Sequence, residues 1–126
     1  MNQSLDRLYD IVEKEIQAIN DSLKVRLKER KLNLVVNSGI TKTNNGRLGY
    51  ITCFPHGPSE ESLDGIFEIT EFVDAIKVSI GVYWSNGISV LDIGEIILSA
   101  DYTETQMDKL KNMVMELTDM IIQTLT

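Results

Sequence analysis

The stretch Lys77 to Gly94, KVSIGVYWSNGISVLDIG, decides how the rest of the chain is read. Asn86-Gly87 has the composition of a tight type I′ turn, whose two central residues take positive φ angles. Apolar residues alternate with small or polar ones on either side of it, as in strands with one buried face. A two-residue loop pairs Ser85 with Ile88, and hence Trp84 with Ser89, Val82 with Leu91 and Ile80 with Ile93. A loop one residue longer sets Ile80 opposite Asp92 on the buried side, so burial selects the shorter register. The other face of this hairpin carries Tyr83, Ile88 and Val90 with Gly81 and Asp92, a mixed surface not made for water alone.

Working outward, IFEITEF at 66–72 reads as a strand with Phe67 and Ile69 on one face, and EFVDAI at 71–76 is open to a short helical connection. PHGPSEES at 55–62 reads as a loop, open to one helical turn ended by Gly65. RLGYITCF at 47–54 reads as a strand returning from LNLVV at 32–36 through the turn NNG at 44–46; NSGITKT between them leaves the register open. At the start of the chain Leu5, Leu8, Tyr9, Val12, Ile16, Ile19, Leu23 and Leu27 repeat at helical spacing. NDS at 20–22 is poor helix-interior sequence, and LKVRLK also alternates like a strand, so residues 22–28 have two readings; the unbroken stripe favours one helix to about residue 30. At the other end Thr103 and Gln106 have capping-box spacing, and Tyr102 and Met107 the staple positions, which predicts an amphipathic helix over 104–125.

The expected fold is α+β in a single domain covering residues 1–126. A long N-terminal helix, about five mostly antiparallel strands in one sheet and a C-terminal helix follow in order. Both helices pack on one sheet face, because that buries every apolar stripe with short connections. At 126 residues, 43% hydrophobic and 25% charged, the composition is that of an ordinary globular domain. No run of about 20 apolar residues is present to span a bilayer. The first residues, MNQSLDRLYD, lack the apolar core of a secretory signal. With one cysteine, no internal disulfide forms, and cytoplasmic residence is the expectation.

Charge is unevenly spread. Residues 1–47 hold nine Lys/Arg and six Asp/Glu, net +3, whereas residues 48–108 hold one and eleven, net −10. Such an acidic stretch repels nucleic acid. The basic segment KVRLKERK at 24–31 is the one place that invites phosphate, yet no aromatic residue interleaves with its charges, and cations are expected near a helix C-terminus. Nucleic-acid binding is therefore not expected.

Candidate chemistry is sparse. TCFPHG at 52–57 contains the only cysteine and the only histidine. An extended chain separates Cys53 from His56, and Pro55 fixes the direction between them, so a buried small hydrophobe followed by a turn is the reading, not a nucleophile and base. One His and one Cys do not build a zinc site. Neither a Walker loop nor a GxGxxG fingerprint is present. No catalytic residue, cofactor or metal is expected.

What remains is recognition. The acids Glu60, Glu61, Asp64, Glu68, Glu71 and Asp74 suit steering of a basic protein partner, and Tyr83, Ile88, Val90 and Asp92 on the outer hairpin face suit an anchor. In size and charge this resembles immunity proteins, antitoxins and phage inhibitors of host defence, which neutralise a protein by covering its site; no motif identifies a family. The alternative is a homodimeric secretion-type chaperone or assembly factor that holds a client segment. It would use the methionines at 107, 113, 115 and 120, of which Met115 lies off the main helical stripe. A small-molecule binder is a third, lesser reading.

Overall fold

The computed structural model describes residues 3–29, 35–54 and 62–125. Helix α1 (Gln3–Glu29) leads into strands β1 (Val35–Lys42), β2 (Gly46–Phe54), β3 (Leu63–Glu71), β4 (Ala75–Trp84) and β5 (Ser89–Ser99), and helix α2 (Glu104–Leu125) closes the chain. The strands lie in the sheet in sequence order, each antiparallel to its neighbours. Helix α1 packs on β1, β2 and β4, α2 on β3, β4 and β5, and the helices touch each other. The α+β expectation holds.

Alternation along the strands selects the covered face. Ile51, Cys53, Leu63, Phe67, Ile69, Ile76, Val78, Ile80 and Val82 are buried beneath the α1 stripe of Leu8, Val12, Ile16, Ile19, Leu23 and Leu27 and the α2 stripe of Leu110, Leu117 and Ile121. Each large side chain so buried is worth about 1.5–3 kcal/mol relative to exposure. The awkward NDS segment stays helical because Asn20 is turned toward the sheet, where its Nδ2 donates to Ser38 Oγ at 2.6 Å. Residues 22–28 are thus helix. The capping box is formed: Gln106 N–H donates to Thr103 Oγ1 at 3.2 Å and Thr103 N–H to Gln106 Oε1 at 3.1 Å.

The 77–94 hairpin departs from its expected register. Trp84 N–H donates to Ile88 O at 2.9 Å, and Gly87 N–H to Trp84 O at 2.8 Å. The loop therefore has three residues, with Gly87 at φ +91° in the bulge position that follows a type I turn. Asn86 Oδ1 accepts from Ile88 N–H at 3.0 Å. A first bulge in β5 absorbs the extra loop residue and a second shifts the register once more: Tyr83 faces Ser89, Val82 faces Leu91, Gly81 faces Asp92 and Ile80 faces Gly94. Val90 and Ile93 are the inserted residues. The Val82–Leu91 pair survives as expected, whereas Trp84–Ser89 and Ile80–Ile93 do not. The longer loop was excluded on the premise of an unbroken ladder; bulges remove that premise, and the φ of +135° at Gly94 marks the second irregularity.

Three further boundaries move. Gly65 does not end a helical turn but sits inside β3, paired with Ile51 and Val82. Residues 71–76 make a tight hairpin in which Phe72 N–H donates to Ala75 O at 2.8 Å, with no helical connection. NSGITK belongs to β1 and not to a loop.

A candidate binding face on the open side of the sheet

The face turned away from the helices is organised as cross-strand rows. One row runs Gly39, Tyr50, Ile66, Gly81, Asp92 from β1 to β5, flanked by Asn37, Thr52, Asp64, Tyr83, Ser89 on one side and Thr41, Leu48, Glu68, Ser79, Glu95 on the other. The two glycines let the two tyrosines lie down. A Cβ on Gly39 would stand 2.6 Å from the Tyr50 hydroxyl, and a Cβ on Gly81 2.6 Å from that of Tyr83. Rings laid over backbone in this way are half-buried without any helix above them, and they leave aromatic surface for contact.

Around this strip stand Asp64, Glu68, Asp92 and Glu95, while the cation at an outward position of the described strands is Lys77. Lys77 Nζ lies 3.8 Å from Glu95 Oε2, and Ser79 Oγ donates to the same carboxylate at 3.3 Å. Ser62 Oγ donates to Asp64 Oδ1 at 3.0 Å, fixing that acid near the Tyr83 row. The face is therefore acidic at its margins and aromatic at its centre.

Of the residues expected to bind a partner, Asp64, Glu68, Tyr83 and Asp92 come together here. Ile88 is 60% exposed at the hairpin tip. Val90, at a bulge, is half-buried and packed against the core. Asp74 lies in the β3–β4 turn, its carbonyl accepting from Ala100 N–H at 2.9 Å. Glu71 is on the helix side: Tyr9 Oη donates to its Oε1 at 2.5 Å, and the Arg47 guanidinium stacks on the Tyr9 ring at 3.8 Å. Burial, then the hydrogen bond to Glu71, pushes the Tyr9 hydroxyl well above the usual range. Glu71 thus serves an edge of the core, not the outer face. Glu60 and Glu61 lie outside the described residues. Tyr50, Ile66 and Glu95 belong to the face but were not singled out; the alternation Leu48, Tyr50, Thr52 against Gly49, Ile51, Cys53 carries the signal for Tyr50.

The remaining candidates resolve differently. Cys53 is fully buried in β2, and its thiol is pushed up to about 12 by burial first and Asp64 second, the opposite of an activated nucleophile. His56 lies outside the described residues. Among the described residues, no three His, Cys, Asp or Glu are grouped to hold a metal ion. In KVRLKERK, Lys24 and Lys28 are exposed on α1, while Arg26 pairs with Asp119 of α2 at 3.1 Å. Beside that pair a shallow cleft between the helices is lined by Ala18, Ser22, Val114, Met115 and Thr118, with Met115 62% exposed. No helix among the described residues is long and apolar enough to cross a membrane. No protein-family model, curated protein or solved structure matches this chain.

Proposed function

We propose that this protein is a non-enzymatic binding module that inhibits or neutralises a protein with a basic surface, in the manner of an immunity protein, antitoxin or phage anti-defence inhibitor. The observation that supports this reading is the open sheet face, where Tyr50 and Tyr83 lie over glycines inside a margin of four carboxylates and one lysine. Aromatic anchors in a pre-set position lose little side-chain entropy on binding. Carboxylates around them raise the rate of encounter with a basic partner and lower it with an acidic one. The work is done by contact and occlusion, and the cytoplasm is its proposed compartment.

The test begins with the protein that co-purifies from the native host. Asp64→Lys with Glu68→Lys is expected to slow association and flatten its salt dependence, while Tyr50→Ala with Tyr83→Ala is expected to speed dissociation. The partner's own activity is expected to fall stoichiometrically with added protein. A partner that binds both variants as tightly as wild type would remove the face from consideration.

The chaperone reading draws on a different feature, the exposed Met115 that lines the cleft between the helices. A client held there would be released by Met115→Glu and indifferent to the tyrosine changes.

A further inference from the structure

We infer that β1 is the edge along which a second copy of this chain adds, antiparallel about Gly39, so that two sheets become one continuous sheet. The inference is independent of the partner proposed for the outer face. It starts from a difference between the sheet's two edges. Strand β5 is broken by two bulges, a common way to make an edge unfit for further pairing. Strand β1 keeps an unshifted register with β2 from Val35 to Lys42, with no proline and no bulge. Thr43 N–H donates to Gly46 O at 3.0 Å, which makes that pair a hydrogen-bonded one. By the alternation of antiparallel ladders, the odd residues of β1 then bond to β2, and Val36, Ser38, Ile40 and Lys42 turn their N–H and C=O groups outward.

A two-fold axis at Gly39 sets Ser38 against Ile40 of the copy and Val36 against Lys42, so every outward group of these four residues finds a partner. The helix beside this edge supplies the choice of occupant. Glu13, Ile16 and Gln17 of α1 form a cleft with Ser38, Gly39 and Ile40, which places Gln17 level with the proposed axis. Helical spacing puts Asp6, Asp10, Glu13, Gln17, Lys24 and Lys28 along one stripe of α1, with Asp21 at its margin accepting from Gln17 Nε2 at 3.0 Å; the stripe is acidic up to Glu13 and basic from Lys24 on. Two such stripes related by the axis run antiparallel, so Asp10 meets Lys24 of the copy and Asp6 meets Lys28, which outweighs the like-charged meeting of Glu13 with Asp21 nearer the axis. The same seam contains Asn20 Oδ1, buried and without a hydrogen-bond partner among the described residues. An extended peptide from another protein would satisfy the strand, but nothing in its backbone would answer the divided charge of α1.

Light scattering on the full-length protein at micromolar concentration is expected to show a dimer. Ile40→Pro removes an outward N–H and no bond to β2, and is expected to weaken dimerisation about tenfold or more, the scale of one to two kcal/mol of lost pairing. Because proline also restricts the strand backbone, the decisive test uses exposed charges. Lys24→Glu with Lys28→Glu gives an all-acidic stripe, and Asp6→Lys with Asp10→Lys a mainly basic one in which Glu13 stays acidic. Each variant alone is expected to turn monomeric, and their equimolar mixture to form a heterodimer. A monomeric wild type, including one that takes up an extended peptide along β1, overturns the inference. So does a dimer indifferent to both charge variants, or a mixture that fails to recombine.

Discussion

Along β3, Leu63, Gly65, Phe67 and Ile69 turn under the helices, while Asp64, Ile66, Glu68 and Thr70 turn away from them. The two sets are interleaved in sequence and have equal access to the backbone, yet one is sealed and the other half-open. The difference teaches that burial is confined to one face of these strands, which leaves the other for the recognition proposed above. Helix-side residues are constrained by volume on all sides. Outer-face residues are constrained mainly by their cross-strand neighbours, which leaves Tyr50 and Tyr83 free to serve contact.

The sharpest way to break this comparison is to cut adjacent residues. Phe67→Ala is expected to cost about 3–5 kcal/mol in urea unfolding, as for a fully buried aromatic, and Ile66→Ala less than about 2. Equal losses would mean that the outer face is part of the core. A smaller effect of the same kind separates two glycines. A Cβ on Gly49 would stand 2.6 Å from Ile16 Cδ1 and 3.2 Å from Phe67 Cβ, so Gly49→Ala is expected to cost about 1–3 kcal/mol by overpacking. Gly39→Ala meets the free end of the Tyr50 ring, which can swing outward, and is expected to cost less than about 1 kcal/mol.

The comparison also has a pH signature. Cys53 and Tyr9, both on the helix side, have proton affinities raised by folding. Their contribution is whole below the unfolded thiol's 9.0 and is lost as pH rises from there through about 12 for Cys53, because the unfolded chain gives up the proton first. Thermal melts are expected to fall across that alkaline window, and Cys53→Val or Tyr9→Phe to flatten the fall. Smallest of all is Lys77→Ala. Its ion pair with Glu95, at 3.8 Å and well exposed, is expected to contribute under about 0.5 kcal/mol, so a melt unchanged within error sharpens the contrast.

Much of the covered face was legible because its signals are local. The stripe from Leu8 to Leu27, the Thr103–Gln106 box and the Phe67–Ile69 alternation each need only one element to be read. The hairpin register was not, since a loop one residue longer with one compensating bulge at Val90 keeps Val82 opposite Leu91 just as a short loop does. The open face was harder still. Tyr50 becomes a neighbour of Ile66 and Gly39 only through pairing across three strands, and acid content alone drew in Glu71, which shares the parity of Phe67 and Ile69 and so belongs under the helices.

The plain meander has a consequence for how the chain is made. Every strand's partner leaves the ribosome just before or just after it, so pairing proceeds in the direction of synthesis with short loop closures and no waiting for distant segments. Helix α1, emerging first, keeps its oily stripe unshielded until the strands arrive, and α2 arrives last to complete the seal with Leu110, Leu117 and Ile121. Nascent chains stalled before residue 104 will therefore be sticky, and they are the forms that cellular folding helpers are expected to hold.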